Sequence, residues 1–477
     1  MKNIVMIYCD ELRCDALGCY GNPYGIKTPN IDSLAERGTI FDNCFCSSPV
    51  CVPSRYGMLT GKDPVHTGVY HNEAALPSFR LKEEHVTFPE ILSSHGWKTA
   101  SFGKTHLPPR KTPVFDVENH QGGSMNLGIQ IKSEAKNIMS LPGTFQSVLA
   151  ADYPEDKKYD PEWVTDNGLE WMKEQTKPFF IRFSYLQPHT PIVVPREYTE
   201  RLDDISFDDT VSYYETSRFE RRFGEVCDIS GIAAADAARM RKYYYAMVLW
   251  IDDQVKRIRE TLEELGIMEE TDILFTADHG ASRGENGALA KQTFRPESHR
   301  IPLIICSDAI RPGRRRDMCS NLSVAPAVLR MCGLKSQGIF DGCDLAEEEG
   351  GPGEIYSIVG YGMKSSRAFP NKVQGTWYGE RGWPQRACIR TERYRLDLNT
   401  RLENEWAGPE DEDLYFTDRA ADPDETRNLA GEPKYREIVR TMREKLITYS
   451  RRQRRVEEAE VYLDGKILAE MKEIAKG

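Results

Sequence analysis

The sequence lacks the features that mark several large classes of protein. Its opening, "MKNIVMIYCDE", has neither a long apolar core nor a small-residue cleavage site, so it does not resemble a secretory signal peptide. No apolar run among the 477 residues reaches the length of a membrane span. Internal repeats and low-complexity segments are also absent. We therefore expect a cytoplasmic protein without a membrane anchor.

Positive charge is also in deficit. Lys and Arg together number 63 against 74 Asp and Glu, which leaves a formal net charge of -11. An acidic chain is a poor general binder of nucleic acids and of anionic membrane surfaces. We expect neither as a partner, and an anionic substrate would need a local cluster of cationic side chains.

Paired cysteines of the zinc-binding type are absent as well. The 12 cysteines are scattered, and no two CxxC motifs occur together. In a reducing compartment most such thiols are small, buried, apolar side chains. Cys9, Cys306 and Cys332 lie inside apolar runs, so we predict that they are buried.

What the chain does contain is a repeated alternation of strand-like and helix-like segments. Asn3 to Tyr8 is a continuous apolar run, typical of a strand buried on both faces. Between residues 236 and 265 apolar side chains recur at steps of three and four residues, which predicts a long helix. The strand-like "DILFTADHG" follows it. This alternation predicts an α/β fold with a mostly parallel sheet between layers of helices.

The composition and the hydrophobic pattern of the sequence change after about residue 365. The later segments are shorter, more polar and strand-like, and a charged helical tail closes the chain. We predict a main α/β domain over residues 1–365 and a smaller C-terminal α+β domain over residues 366–477. Residues 198–225 are rich in Asp, Arg and aromatic side chains without a clear period. We interpret them as a surface insertion near the mouth of the functional site.

Acidic side chains follow two of the predicted strands. The first strand ends in Asp10 and Glu11, and the strand "DILFT" is followed by Asp278 and His279. Ligands of open α/β sheets bind outside the carboxyl ends of the strands, so these side chains are expected to meet. Three carboxylates and an imidazole suit Ca²⁺, Mg²⁺ or Mn²⁺. The alternative is that the acids only cap loops and helices.

The segment "SSPVCVPSRYGMLTG" places Cys51 at the start of a predicted helix. Pro53 suits the first helical turn, and Arg55 lies one turn after the cysteine. Backbone N–H groups at a helix start favour negative charge, so the pattern indicates an anion site with an acidic thiol. The three residues between Cys51 and Arg55 are too few for the loop of a cysteine phosphatase. From these residues alone, a purely structural cysteine stays an alternative.

The segment "CVPSRYGMLTG" resembles the signature of type I sulfatases, in which a cysteine or serine precedes x-Pro-x-Arg and a later Thr-Gly. Similar segments extend along nearly the whole chain: "NIVMIYCDELRCDALGCYGN", "FGKTHL", "QPHTP", "TADHG" and "DLYFTDRAADPDETRNLAG". The resemblance implies an alkaline-phosphatase-like fold, in which helices sandwich a large mixed, mostly parallel sheet and a smaller α+β domain follows. It also implies a sulfuric ester hydrolase that acts on a sulfated carbohydrate or another small sulfate ester.

In this family the signature cysteine is oxidised to Cα-formylglycine by a dedicated maturation enzyme, and the hydrated aldehyde attacks sulfur. The resemblance therefore implies that Cys51 is the precursor of the nucleophile. It also implies one divalent cation, Ca²⁺ ahead of Mg²⁺ or Mn²⁺, whose ligands are Asp10, Glu11, Cys51, Asp278 and His279. Glu11 is one methylene longer than the commoner aspartate, and His279 stands where many relatives have asparagine, which bears on the choice of metal.

The resemblance assigns further roles to cationic side chains. It implies that the catalytic residues, beside Cys51, are Arg55, Lys104, His106, His189 and Lys291. It implies that the sulfate is bound by Lys104, His189, Lys291 and Arg300. Taken one at a time, such a lysine is more often a solvated surface residue, and such a histidine is more often a structural one.

The sequence indicates the type of reaction more clearly than it indicates the substrate. Trp377, Tyr378 and Trp383 are candidates for stacking on a sugar ring, although packing is the alternative. We expect specificity to reside in residues 198–225, in the loops near residues 107–160 and in the C-terminal domain. A phosphonate monoester or phosphodiester hydrolase of the same superfamily is an alternative function, and a non-catalytic anion-binding relative is another. The sequence leaves the oligomeric state open.

Overall fold

The structure is a computed structural model that describes residues 1–453, except 78, 82, 141–147, 209–215, 222–233, 286–288, 337, 347–350 and 363–382. Trp377 and Tyr378 lie outside the described residues, as do parts of the predicted insertion and the end of the predicted helical tail. None of the helices within the described ranges combines the length and the apolar content that a membrane span needs.

Strands alternate with helices through the first part of the chain, as the sequence predicts. The strands are β1 (Asn3–Asp10), β2 (Thr39–Phe45), β3 (Lys98–Gly103), β4 (Val117–Asn119), β5 (Lys136–Ser140), β6 (Val148–Asp152), β7 (Phe179–Pro188), β8 (Val193–Val194), β9 (Thr271–Ala277), β10 (Ser282–Arg283), β11 (Leu289–Ala290), β12 (Leu303–Cys306), β13 (Gly313–Ser320), β14 (Glu354–Val359), β15 (Gln385–Thr391), β16 (Tyr394–Leu402), β17 (Glu405–Trp406) and β18 (Tyr415–Asp418). The helices are α1 (Pro29–Arg37), α2 (Cys51–Thr60), α3 (Pro64–Thr67), α4 (Phe88–Ser94), α5 (Ile131–Glu134), α6 (Glu162–Lys173), α7 (Arg196–Glu200), α8 (Ala234–Glu264), α9 (Pro296–His299), α10 (Val324–Met331) and α11 (Arg436–Ser450).

The central sheet has eight strands in the order β13-β2-β12-β9-β1-β7-β3-β4. β1 lies in the middle, parallel to β7 on one side and to β9 on the other. Nearly all side chains of these three strands are buried, as expected where helices cover both faces of a sheet. β12 runs antiparallel to both of its neighbours. The sheet is therefore mixed and mostly parallel, which confirms the predicted fold.

The long helix α8 carries the predicted apolar stripe. It spans Ala234–Glu264, close to the predicted bounds, and packs against β6 and β7. Met247, Ile251 and Val255 on this stripe are completely buried. Trp250 packs edge-to-face on Tyr185 of β7, with ring centroids 5.4 Å apart. One face of the sheet near the carboxyl end of β7 is thereby closed.

A second, antiparallel sheet follows in the order β14-β15-β16-β17, and β18 pairs with β16. Its apolar side chains join those of the segment after Cys51 in one hydrophobic group, which we call the shared core cluster. The members used below are Val52, Tyr56, Val65, Ile389, Leu396, Phe416 and Leu446. Helix α2 is therefore packed against the second sheet. The first strand of that sheet begins at Glu354 and residue 365 lies outside the described residues, so the domain boundary stays a prediction.

Two predictions about burial are wrong in part. Cys9 is buried, but Cys306 and Cys332 are only partly so. Within the predicted surface insertion, Phe219 is completely buried and Glu220 nearly so. Glu220 is buried because its carboxylate pairs with Arg295, Nε to Oε1 at 3.0 Å, and a buried cation needs such a partner.

Candidate active site

Cys51 is the first residue of α2, a helix whose ten residues are all buried. The backbone N–H of Val52 donates to Oδ1 of Asn72 at 2.9 Å, so a side chain satisfies one of the free N–H groups of the first turn. The Ser54 hydroxyl donates to the carbonyl of Asp278 at 2.5 Å. The first bond ties the start of the helix to the segment around Asn72, and the second holds it against the carboxyl end of β9.

The two acidic segments meet, as the sequence predicts. β1 and β9 are parallel neighbours with Cys9 opposite Ala277, so Asp10 and Asp278 leave the sheet side by side. The buried guanidinium of Arg55 binds both acids, Nη2 to Asp10 Oδ2 at 2.9 Å and Nε to Asp278 Oδ2 at 2.8 Å. The two carboxylates are therefore fixed in position by one cation.

Three cationic side chains surround the sulfur of Cys51. Lys291 Nζ lies 3.1 Å from Sγ, His279 Nε2 lies 3.3 Å away, and Lys104 Nζ lies 3.9 Å away. Burial raises the pKa of the Cys51 thiol, but Lys104, Lys291 and His279 outweigh burial and hold that pKa well below its ordinary value. This position therefore favours negative charge on the side chain of residue 51.

Four of the predicted ligands form a group that suits a metal ion. One donor atom from each of Asp10, Cys51, Asp278 and His279 lies within 4.8 Å of the others, and all four residues are buried. His279 Nδ1 lies 2.8 Å from the carbonyl of Gly280, which leaves Nε2 facing the group. Burial lowers the pKa of His279, but Asp278 and Cys51 outweigh it and raise the pKa to about 9. A cation would take the place of that proton, since a ligating imidazole is neutral. Two carboxylates with one imidazole fit a divalent cation.

Glu11 lies outside this group of four residues, although it forms a second group that also includes Asp10. Its backbone is left-handed, with φ at 61°, and its Oε2 pairs with Arg283 Nη2 at 2.6 Å. Its Oε1 lies 2.7 Å from Lys291 Nζ, and the carboxylate groups with Asp10 and His189 rather than with Asp278. Burial raises the pKa of Glu11, but His189, Lys291 and Arg283 lower it well below its ordinary value. The ligand role of Glu11 stays a prediction.

The remaining predicted catalytic residues lie around the same point. His189 Nδ1 contacts the carbonyl of Thr190, which leaves Nε2 facing Lys291 Nζ at 3.0 Å. His106 is half-buried, and its interaction with Cys51 partly offsets the lowering of its pKa by desolvation. The structure thus brings all the predicted catalytic side chains to the carboxyl ends of β1 and β9.

Two predicted substrate contacts, Arg300 and Trp383, pack against other groups of the protein. Arg300 donates through Nε to the carbonyl of Asp42 at 2.7 Å, and its guanidinium covers the ring of Tyr20 at 5.7 Å. Its role in binding sulfate stays a prediction. Trp383 is 1% exposed and packs edge-to-face on Phe219, with ring centroids 5.9 Å apart. For Trp383 the structure supports packing rather than stacking on a sugar.

Sequence reasoning missed the residues that hold Glu11. Arg283 is buried and pairs with its carboxylate, and the Tyr244 hydroxyl donates to its carbonyl at 2.8 Å. The only signal for Arg283 is its position four residues after His279, in the short strand β10 that follows β9. Tyr244 lies on α8, and nothing in the sequence associates it with Glu11.

Comparisons with known proteins find similarity to sulfatases and, in fold, also to a phosphonate hydrolase. A family model for sulfatases matches residues 2–334. The chain is 28% identical over 460 residues to the ulvan-active sulfatase of Formosa agariphila, covering 93% of this chain and 80% of that protein. It has the fold of a solved structure in complex with its substrate D-glucosamine-2-N,6-O-disulfate, with 20% identity and a TM-score of 0.70 over 98% of this chain and 99% of that one. It also has the fold of the phosphonate monoester hydrolase of Agrobacterium radiobacter, with 20% identity and a TM-score of 0.72 over 94% and 95% of the two chains.

Proposed function

The chain belongs to the sulfatase family of hydrolases, and from this premise we propose that it cleaves sulfated carbohydrates or small sulfate esters with a nucleophile made from Cys51. The finding that carries the proposal is the arrangement around Sγ of Cys51. Lys291 Nζ lies at 3.1 Å and His279 Nε2 at 3.3 Å, with the carboxylate of Asp10 behind them at 3.8 Å. A buried position ringed by cations suits an anionic reacting group.

Two groups that the chain itself does not encode complete the proposed site. A Cα-formylglycine at position 51, once hydrated, supplies an attacking hydroxyl and a second hydroxyl, which lets sulfate leave without water attacking sulfur. A divalent cation, Ca²⁺ ahead of Mg²⁺ or Mn²⁺, would be held by Asp10, Asp278, His279 and residue 51 and would supply Lewis-acid polarisation of sulfate oxygens.

The side chains of the protein provide the rest of the chemistry. Lys104 and Lys291 face residue 51 from two sides and neutralise the charge that develops on the sulfuryl oxygens. His189 Nε2 and Lys291 Nζ lie 3.0 Å apart and form the pair that gives a proton to the leaving oxygen. Arg55 orients the acids Asp10 and Asp278 and does not itself bind substrate.

The test is a comparison of kcat/KM for 4-nitrophenyl sulfate with that for an aryl phosphonate and an aryl phosphodiester. The enzyme is first shown by peptide mass spectrometry to carry formylglycine at position 51. We expect the sulfate ester to be preferred. A clear preference for the phosphorus esters would overturn the proposal.

That contrary outcome defines the second candidate function, a phosphonate monoester or phosphodiester hydrolase. What favours it is the match in fold to a phosphonate monoester hydrolase over nearly the full length of both chains. The match to the sulfatase family model and the sulfatase relative favour the first candidate. An unmodified Cys51 in protein from the native host would favour a third candidate, a non-catalytic anion-binding relative.

A further inference from the structure

His71 is a buried imidazole that the proposed chemistry does not use. It is 3% exposed, and in the part of the chain that the structure describes neither of its ring nitrogens has a partner in hydrogen-bonding geometry. Burial lowers its pKa to about 4, against a smaller opposite effect of Gln292, so the ring is neutral at ordinary pH. A neutral imidazole offers one donor and one acceptor.

The position of His71 ties it to the site. The next residue, Asn72, accepts the N–H of Val52 in the first turn of α2, so the backbone of His71 lies beside the helix start that carries Cys51. Cys51 and Lys291 both act electrostatically on its ring, and both Gln292 and the ring of Trp383, whose centroid is 6.5 Å away, lie beside it. Gln292 follows Lys291 directly, and its N–H donates to the carbonyl of Pro49 at 2.9 Å. His71 therefore lies where the loop of Lys291 meets the loop of Cys51.

Two further polar atoms near residue 51 also lack hydrogen-bond partners among the described residues. Oε1 of Gln292 and Nδ1 of His106 are also buried, and among the described residues neither has a hydrogen-bond partner. A buried polar atom without a partner costs about 1–3 kcal/mol, so most such atoms in native proteins are satisfied by water or by a ligand. Four such atoms lie on His71, Gln292 and His106, and Cys51 acts electrostatically on the rings of both histidines.

The hydrogen-bonding needs of these groups describe a ligand. Neutral His71 can donate and accept, and Oε1 of Gln292 can only accept. A hydroxyl group can accept a hydrogen bond from the donor nitrogen of His71 and donate one to Oε1 of Gln292, whereas an aromatic ring next to the ester can do neither. Sites built to bind a hydroxyl reject analogues that lack it, because their own polar groups then stay unpaired.

We propose that His71, together with Gln292, binds a hydroxyl group that neighbours the sulfate ester, and so makes the enzyme prefer a sulfated sugar to an aryl sulfate. This inference rests on the proposed sulfatase function. His71 is in this view a specificity-determining residue and takes no part in the attack on sulfur.

The test replaces His71 by Phe, which keeps a ring and removes both nitrogens, and by Gln, which keeps a donor and an acceptor. Formylglycine-bearing enzymes are assayed with D-glucosamine-2-N,6-O-disulfate, glucose 6-sulfate and 4-nitrophenyl sulfate. For His71→Phe we expect kcat/KM to fall on the order of 10- to 100-fold for the better sugar ester and to change by less than about threefold for the aryl ester. His71→Gln is expected to recover part of the sugar activity.

The matched control is His66→Phe, the same change at a half-exposed histidine that contacts Asp341 near the far end of α2. We expect it to leave both activities unchanged. If Phe at position 71 prevents folding, His71→Leu and His71→Gln give the same ratio. Equal losses for sugar and aryl esters, or no loss for either, would overturn the inference alone. A wild-type enzyme that hydrolyses no sulfate ester would overturn the proposed function and this inference with it.

Discussion

At the scale of single residues, the site is a set of buried charges that balance one another. Asp10 pairs with Arg55 and Lys104, and Glu11 pairs with Arg283 and Lys291. Removing one member of a buried pair leaves the other without compensation, which costs stability as well as function. Substitutions here therefore need a measurement of folding beside every measurement of activity.

Cys51→Ala is expected to fold and to have no sulfatase turnover, because the proposed nucleophile is derived from this side chain. The thermal midpoint and the rate of 4-nitrophenyl sulfate hydrolysis measure the two effects. Cys46→Ala, a change of the same kind at a buried cysteine in the preceding loop, is the control and should keep the activity of mature enzyme. Wild-type-like turnover by Cys51→Ala would contradict the mechanism.

Lys291→Ala is expected to lower kcat/KM for 4-nitrophenyl sulfate by about 10²- to 10³-fold, since a cation facing the developing charge is lost. The loss should appear mainly in kcat. Lys173→Ala removes an exposed lysine at the end of α6 and serves as the control. A Lys291→Ala enzyme within about threefold of wild type would exclude Lys291 from the chemistry.

Removal of divalent cations should lower the thermal midpoint by a few degrees and abolish turnover, with recovery on adding Ca²⁺. An ion present at about 100 times its Kd adds about 2.7 kcal/mol to the stability of the folded state. In Asp278→Asn the midpoint should no longer respond to Ca²⁺, because one carboxylate of the group is gone. A wild-type midpoint that is indifferent to chelator and to Ca²⁺ would argue against the metal site.

At the scale of elements, the sequence was informative where a pattern is local. The apolar run of β1, the stripe of α8 and the proline in the first turn of α2 each predicted an element that the structure contains. The meeting of Asp10 with Asp278 was predictable too, because both follow strands and parallel strands share an edge.

Direction and long-range pairing were not predictable in this way. A continuous apolar run such as that of β12 is compatible with both a parallel and an antiparallel strand. The antiparallel direction of β12 is set by how the connecting segments cross the sheet. Glu11 pairs with Arg283, 272 positions away, and the burial of Glu220 depends on Arg295. Such pairs produce no recurring pattern in the sequence, because tertiary packing brings their two residues together.

Strand β15 contacts the segment that follows Lys291 through a buried ion-pair network. Arg390 donates through Nη2 to the carbonyl of Phe294 at 2.8 Å and pairs with the buried carboxylate of Glu425. Arg295 Nη1 donates to the carbonyl of Glu425 at 3.0 Å. The segment that follows Lys291 is thus held by the second sheet. We expect Glu425 to act on catalysis only by positioning this segment.

Glu425→Gln is therefore expected to cost about 3–5 kcal/mol of stability at neutral pH, as removal of one partner from a buried network does. Burial raises the pKa of Glu425, but Arg390 and Arg395 outweigh it and lower the pKa to about 2. A carboxyl with a lowered pKa stabilises the fold above its unfolded value near 4.5 and loses that contribution as the pH falls toward about 2. Denaturant melts across this pH range measure the effect.

In Glu425→Gln the loss of stability between pH 4.5 and about 2 should be smaller than in wild type by about 3 kcal/mol. Glu437→Gln, at an exposed pair with Arg440, is the control and should change stability by less than about 0.5 kcal/mol. Equal acid profiles for wild type and Glu425→Gln would mean that this network does not stabilise the fold.

At the scale of the whole molecule, the two sheets are not independent. The shared core cluster draws Val52 and Tyr56 from α2 and Ile389, Leu396 and Leu446 from the C-terminal elements. Cutting the chain between the predicted domains would expose apolar side chains on both sides of the cut. The predicted domains are therefore expected to depend on each other for stability.

A fragment of residues 1–365 should accordingly lack a cooperative thermal transition and should aggregate, because the cover of α2 is missing. A fragment of residues 1–453 keeps every residue of the shared core cluster and should unfold cooperatively. Differential scanning calorimetry of the two fragments distinguishes the cases. A cooperative transition in the shorter fragment would show that the first domain folds alone.

The burial of α2 also sets an order of events during synthesis. Cys51 is 1% exposed, and the strands that cover its helix come from the last quarter of the chain. If Cys51 is oxidised as we propose, the modifying enzyme would need this segment while it is still extended, before the second sheet covers it. The fraction of active enzyme in a preparation would then depend on the rate of oxidation relative to the rate of folding.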